Sequence, residues 1–312
     1  MPLTDGPLYP ARDRACAEAF HASAIGRPCR QLEPSRVVYD VAMRATLLTA
    51  LSGAVLLLTS TGLAAQSGLS GPPTAAQNRP KPEETEVWGP VPAIVTPGPT
   101  ASAAPSDAVV LFDGTSLDKW VSVKDRSPAA WQVADGVATV VKSAGNIETR
   151  QRFRNYQLHL EYRVPVNVEG AGQARGNSGV FLASTGGGDA GYELQVLDSY
   201  ENTTYVNGQA ASIYKQFVPL VNASRKPGEW QTYDVVWMAP TFKADGSIDT
   251  PATATVFHNG VLVQNHVTLK GETVFIGQPF WKAYDRAPIK LQAHGDPSPP
   301  LSFRNIWVRE LP

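Results

Sequence analysis

Beyond Val109 the chain never sustains the 3.6-residue apolar period of a helix. It breaks instead into ten short segments separated by Gly, Pro, Asn and Asp. Residues 131–133, 137–141, 158–164, 178–182, 192–197, 231–237, 252–258, 261–266, 289–293 and 301–309 all suit strands. The sharpest local signal is Phe257-His258-Asn259-Gly260-Val261-Leu262. There Asn-Gly between two apolar runs supplies the positive φ angles of a tight type I′ hairpin turn. So many short strands in one stretch predict an all-β fold, two antiparallel sheets packed as a jelly-roll-like sandwich.

Alternation within these strands separates a packed face from a polar one, because successive side chains point to opposite sides. In Gly191-Tyr-Glu-Leu-Gln-Val-Leu-Asp198, Glu193 and Gln195 oppose Tyr192, Leu194 and Val196. The same reading sets His159, Glu161 and Arg163 against Leu158, Leu160 and Tyr162, and places Gln292 and His294 two apart on a late strand. Arg175 and Asn177 precede Gly179, and Asp198, Tyr214, Lys215 and Gln216 follow the 192–197 strand. Acids and amides drawn from several strands suit the floor of a cleft that grips hydroxyls, with Trp230, Trp281 and Tyr284 as candidate stacking platforms.

Each of these residues also has a structural use. Glu193 and Lys215 could form an ordinary surface pair, His294 could donate to a backbone carbonyl, and Asp198 could cap the turn at Ser199-Tyr200. Arg304 and Asn305, inside an otherwise apolar final strand, could tie the sheets together.

The N-terminal third carries no such pattern. Residues 43–65 read as an export signal: Met43 and Arg44, an apolar run from Ala45 to Leu58, and a small-residue cleavage site at Gly62-Leu63-Ala64-Ala65. That run is short for a bilayer span, so the mature chain is expected in the periplasm or outside the cell without stable membrane insertion. Residues 1–42 are an extension of uncertain status, read either as the product of a start assigned too early or as a cytoplasmic segment. Both cysteines, Cys16 and Cys29, lie in it, so a processed chain would have neither disulfides nor thiolate chemistry. Residues 66–108, with nine prolines between Gln66 and Ser106, read as a mobile tether, and 109–312 as the folded domain. The formal charge of −1 and the lack of a Lys/Arg stripe argue against a nucleic-acid partner.

The ordered motifs carry a resemblance. Leu111-Phe112-Asp113-Gly114-Thr115-Ser116-Leu117, Gly176-Asn177-Ser178-Gly179-Val180-Phe181-Leu182, Tyr192 to Asp198, Gly228-Glu229-Trp230 and Phe303-Arg304-Asn305-Ile306-Trp307-Val308 resemble the 3-keto-disaccharide hydrolase family over 109–311. The resemblance implies a concanavalin A-like jelly roll that acts on small 3-keto saccharides. Oxidation at C3 makes the C2 proton acidic, so the glycosidic bond can break by C2 deprotonation, loss of the C1 substituent and later addition of water. That chemistry needs a base, an enolate stabiliser and an acid. On this reading His294 or Glu193 is the base and Lys215 the cation near the enolate. Glu161, Arg175, Asn177, Gln195, Asp198, Gln292, Trp230 and Trp281 are expected to bind substrate. Ala293 departs from the family's usual Leu-Gln-Asp-His-Gly, which puts a second partner or a metal ligand in doubt.

Three rivals stay open. A conventional glycosidase needs two carboxyl groups ~5.5 Å apart, or ~6.5–9.5 Å for inversion. Glu193 and Asp198 make a poor pair, and Glu193 with Glu161 is the remaining choice. A noncatalytic carbohydrate-binding module would use the same amides and rings, and a purely structural sandwich would cover its polar face with loops. No organic cofactor is expected. No zinc or EF-hand spacing is present, although a calcium or other divalent cation held by backbone carbonyls would leave no trace.

Overall fold

The computed structural model describes residues 80–312. The 1–42 extension, the export signal at 43–65, both cysteines and the tether as far as residue 79 lie outside the described residues.

Fifteen strands are numbered in chain order: β1 (Val109–Phe112), β2 (Trp120–Ser122), β3 (Gln132–Ala134), β4 (Val137–Thr139), β5 (Ile147–Thr149), β6 (Tyr156–Arg163), β7 (Ser178–Ser184), β8 (Gly191–Val196), β9 (Trp230–Met238), β10 (Thr241–Phe242), β11 (Ile248–Thr250), β12 (Thr253–His258), β13 (Val261–Thr268), β14 (Lys290–Leu291) and β15 (Ser302–Glu310). The larger sheet runs β13-β12-β9-β6-β15-β4-β3, with β1 also paired to β15, and the smaller runs β2-β5-β14-β7-β8. Every pairing is antiparallel, and the fold is a two-sheet jelly-roll sandwich. Asn259 (φ 54°) and Gly260 (φ 78°) make the expected tight turn between β12 and β13, pairing His258 with Val261.

Each sheet buries one face. Leu158, Leu160 and Tyr162 of β6 and Tyr233, Val235 and Trp237 of β9 meet Val180 and Leu182 of β7 and Tyr192, Leu194 and Val196 of β8. Rings this large carry polar tips that need partners inside. The Tyr156 hydroxyl donates to the Leu182 carbonyl at 2.5 Å, and that of Tyr233 to the Gln195 carbonyl at 2.7 Å. Both bonds cross from the larger sheet to the smaller one, and the second ends on the backbone of β8.

The outer face of the larger sheet is polar but not open. Glu161 accepts from Arg304 Nε at 2.6 Å and Asn305 Nδ2 at 2.9 Å, and His159 pairs with Asp234 at 2.7 Å. Burial alone would raise the Glu161 carboxyl, but these donors and the Arg304 charge hold it below the usual range. The chain before β1 lies across this face. Asn305 Nδ2 and Trp307 Nε1 both donate to the Ser102 carbonyl at 2.9 Å, and Arg309 pairs with Asp107 at 2.6 Å. Ser102 and Asp107 therefore belong to the folded unit, although their Pro- and Ala-rich surroundings read as tether. Carbonyl and carboxylate acceptors fasten them, and hydropathy does not register such bonds.

Candidate functional site

The outer face of the smaller sheet is where chemistry collects. Register places Lys290 of β14 opposite Glu148 and Phe181, and Phe181 opposite Glu193, so Glu148, Lys290, Phe181 and Glu193 form one cross-strand row. In the next row on the same face, the Gln292 backbone N–H donates to the Gly179 carbonyl at 3.0 Å and Gly179 faces Gln195. Gly179 is the gap in that floor. A Cβ there would stand 2.6 Å from Glu193 Oε1, so only glycine leaves the carboxyl its place.

Above this floor lies a cavity of about 710 Å³ that Glu193, Gln195, Asn177, Gln292 and His294 all line. These five expected site residues meet in one place, though they come from β8 and from the segments just before β7 and just after β14. Glu193 is 6% exposed, and among the described residues none donates a hydrogen bond to its carboxyl. Burial, reinforced by the negative charge of Asp189 and opposed by Lys290, pushes its pKa up to about 8. Ionising it there costs roughly 5 kcal/mol more than in water.

Amides complete the lining. Gln195 Nε2 donates to Asn177 Oδ1 at 2.9 Å, and Asn177 Nδ2 to the Gln173 carbonyl at 2.8 Å. The side-chain oxygens of Gln173, Gln195 and Gln292 are buried without a protein partner among the described residues, an arrangement that favours a ligand able to donate hydrogen bonds. His294 Nδ1 accepts from the Asp296 N–H at 3.2 Å, which assigns the proton of the neutral ring to Nε2. Asp296 is itself locked. It accepts from the Asn177 N–H at 2.6 Å and pairs with Lys142 at 2.7 Å. Burial would raise this carboxyl, but the Lys142 ammonium and the Asn177 N–H bring it below its ordinary value.

Other expected site residues stand elsewhere. Glu161 sits on the far side of the sandwich, as described above. There the guanidinium groups of Arg163 (4.6 Å) and Arg304 (4.0 Å) both lie over the Trp230 ring. Alternation along β6 and β9 sorts their side chains into two faces, but both strands belong to the larger sheet, whose outer face points away from the cavity. Arg175 and Asp198 pair with each other at 2.6 Å, and Asp198 Oδ1 caps Tyr200 N–H at 3.1 Å, the structural role open to it from the start. Trp281 and Tyr284 pack against Tyr192 and Phe242 outside the cavity. Lys215 reaches the rim, where its ammonium donates to the Phe275 carbonyl at 2.5 Å instead of facing the floor.

Tyr214, expected at the cleft from the sequence, lines the cavity with its ring, and three residues that the sequence did not single out also matter. Phe275 supplies a second ring to the lining. Asp189 stands at its edge, within a turn that Lys290 fastens by donating to the carbonyls of Gly186 (3.2 Å), Gly188 (2.9 Å) and Ala190 (2.7 Å). Burial lowers the pKa of this fully enclosed ammonium to about 8. Lys290 shares a face with Gln292 by simple alternation and was legible in that sense. A second cavity of about 720 Å³, walled partly by Ala293 and Gly187, shares Asp189, Gln292 and His294 with the first. Among the described residues no group of three or more His, Cys, Asp or Glu is placed to hold a metal ion.

Comparison with known proteins extends these observations. Residues 107–309 match the 3-keto-alpha-glucoside-1,2-lyase-like domain. A solved structure from Parabacteroides distasonis, named a "putative glycosyl hydrolase", is 54% identical, with 74% of this chain and 97% of that one covered and a TM-score of 0.70. A second structure of the same name and organism is 18% identical, covers 66% of this chain and 94% of its own with a TM-score of 0.50, and speaks for the fold alone. No curated protein matches the sequence.

Proposed function

The chain belongs to the 3-keto-alpha-glucoside-1,2-lyase-like domain family, and from that premise we propose that it cleaves the glycosidic bond of 3-keto glucosides in the cavity over β7, β8 and β14. The observation that carries this reading is Glu193, a buried carboxyl with no hydrogen-bond donor among the described residues, on the floor of a cavity lined by amides. A module that only binds sugar has no use for a carboxyl that is costly to ionise, whereas a base for a carbon acid needs a raised proton affinity.

In this mechanism the Glu193 carboxylate takes the C2 proton, and the C–H electron pair passes into an enolate whose charge rests on the C3 oxygen. Nε2–H of His294 and the Gln292 amide donate to that oxygen. The enolate then expels the C1 substituent, whose oxygen receives the proton held by Glu193, leaving a C1=C2 enone and a free alcohol. Water adding across C1=C2 completes hydrolysis. The proton on Nε2 makes His294 a donor and leaves Glu193 as the base. Lys215, committed to the Phe275 carbonyl, takes no part at the reacting atoms. The export signal read over residues 43–65 would place the reaction in the periplasm or outside the cell.

Exchange at C2 tests the first step in isolation. A 3-keto glucoside incubated with the protein in D2O should gain deuterium at C2 by NMR, and Glu193→Gln should lose this exchange by a factor of ~100 or more. Exchange that survives in the variant would remove Glu193 from the role of base.

A further inference from the structure

The mouth of the cavity differs in character from its floor. Phe275 lines the cavity yet is 69% exposed, and its neighbour Ile276 is 84% exposed. Tyr205 and Val206, across the rim, are exposed as well. Large apolar side chains clustered in the open at a binding cavity call for a ligand.

This rim is braced. Lys215 Nζ holds the Phe275 carbonyl and sits 4.0 Å from the centre of its ring, and 5.6 Å from those of Tyr205 and Tyr214. The hydroxyls of Tyr205 and Tyr214 are 2.5 Å apart. The base of the loop is pinned where Glu272 N–H donates to the Phe280 carbonyl (2.7 Å) and Thr273 N–H to the Gly191 carbonyl (2.8 Å). Thr273 Oγ1 also accepts from the Glu193 N–H at 3.0 Å, so the segment carrying Phe275 is hydrogen-bonded to the residue proposed as base. Lys215 thus acts as a positioning residue that holds three rings around the opening.

Resting on the proposed reaction, we infer that this rim is the aglycone site and selects glucosides whose C1 substituent presents a flat apolar face, an aryl group in preference to a second sugar. The polar floor grips the keto sugar, and the substituent leaving C1 passes between Phe275 and Tyr214. Rings held in place lose little freedom on stacking, which favours a rigid planar partner.

The test compares kcat/KM for a phenyl 3-keto glucoside, a methyl 3-keto glucoside and a 3-keto disaccharide, using the full chain and its Phe275→Ala and Phe275→Tyr variants. The inference predicts a phenyl-to-methyl ratio of about ten or more in the parent. That ratio should collapse towards one in Phe275→Ala, mainly through KM, and recover in Phe275→Tyr. Preference for the disaccharide, or a ratio indifferent to Phe275 as expected if the substituent lies in the second cavity, would overturn it. So would an Ala variant altered only in its sedimentation, which would make the patch a contact between copies. Calorimetric binding of unoxidised phenyl and methyl glucosides needs no turnover. The same preference, lost in Phe275→Ala, would uphold the rim even if the keto reaction failed, and its absence would overturn the rim even if the reaction held.

Discussion

Glu193 is held where water would be its best partner and has little access. The sheet in front of it carries a glycine and a phenylalanine, and the one buried cation in its row, Lys290, is spent on three carbonyls of the neighbouring turn. The consequence is a signed pH dependence. A base must be ionised, so kcat/KM should rise with pH until it levels off above about 8, the value to which burial lifts this group. The fold responds in the opposite sense. The native state keeps a proton that the unfolded chain gives up near its ordinary value of 4.5, so Glu193 costs stability progressively as pH climbs from there through 8. Thermal melts should accordingly show Glu193→Gln gaining on the parent protein as pH rises from 5 to 9. A pH–rate profile flat through 8, or a melting difference that does not change with pH, would contradict this account. Gain in stability with loss of turnover is the mark of a group retained for its chemistry.

At the scale of the element, β7, β8 and β14 act as one floor, and alternation made much of it legible. Glu193 and Gln195 share a face because Tyr192, Leu194 and Val196 share the other, and Gln292 joins them by the same count. Alternation does not say to which sheet a strand belongs. His159, Glu161 and Arg163 were sorted correctly within β6, yet β6 pairs with β9 and β15, so Glu161 meets Arg304 and not the cavity. Asp296 was not readable in this way, because it follows the strand in a loop where no period operates, and its importance comes from contacts with Lys142 and Asn177 distant in sequence. The three-residue strands β2 and β5 were invisible for a related reason, being too short to show a period. Gly179→Ala tests the floor directly. The added methyl would press on the end of the Glu193 side chain and not on backbone, so the carboxyl should swing aside. Activity should fall at least ~10-fold while stability changes by about 1 kcal/mol or less. Equal activity in the Ala variant would show that Glu193 has room to spare.

For the whole molecule, the sandwich works by giving its two outer faces different tasks. One carries the cavity, and the other is covered by the chain that leads into β1, with Ser102 accepting from Asn305 and Trp307. The family match begins at residue 107, so the fastening at Ser102 precedes it. A fragment starting at residue 109 should therefore melt several degrees below one starting at residue 94, since it leaves Trp307 Nε1 and Asn305 Nδ2 without their acceptor and Arg309 without Asp107. Coincident melting curves would show that the segment adds nothing. The most direct test of the central claim is release of the aglycone from a 3-keto glucoside and from its unoxidised parent by the full chain and by Glu193→Gln. The account predicts release from the keto sugar alone and its loss in the variant. Equal cleavage of the unoxidised glucoside, or of the keto sugar by Glu193→Gln, would contradict it.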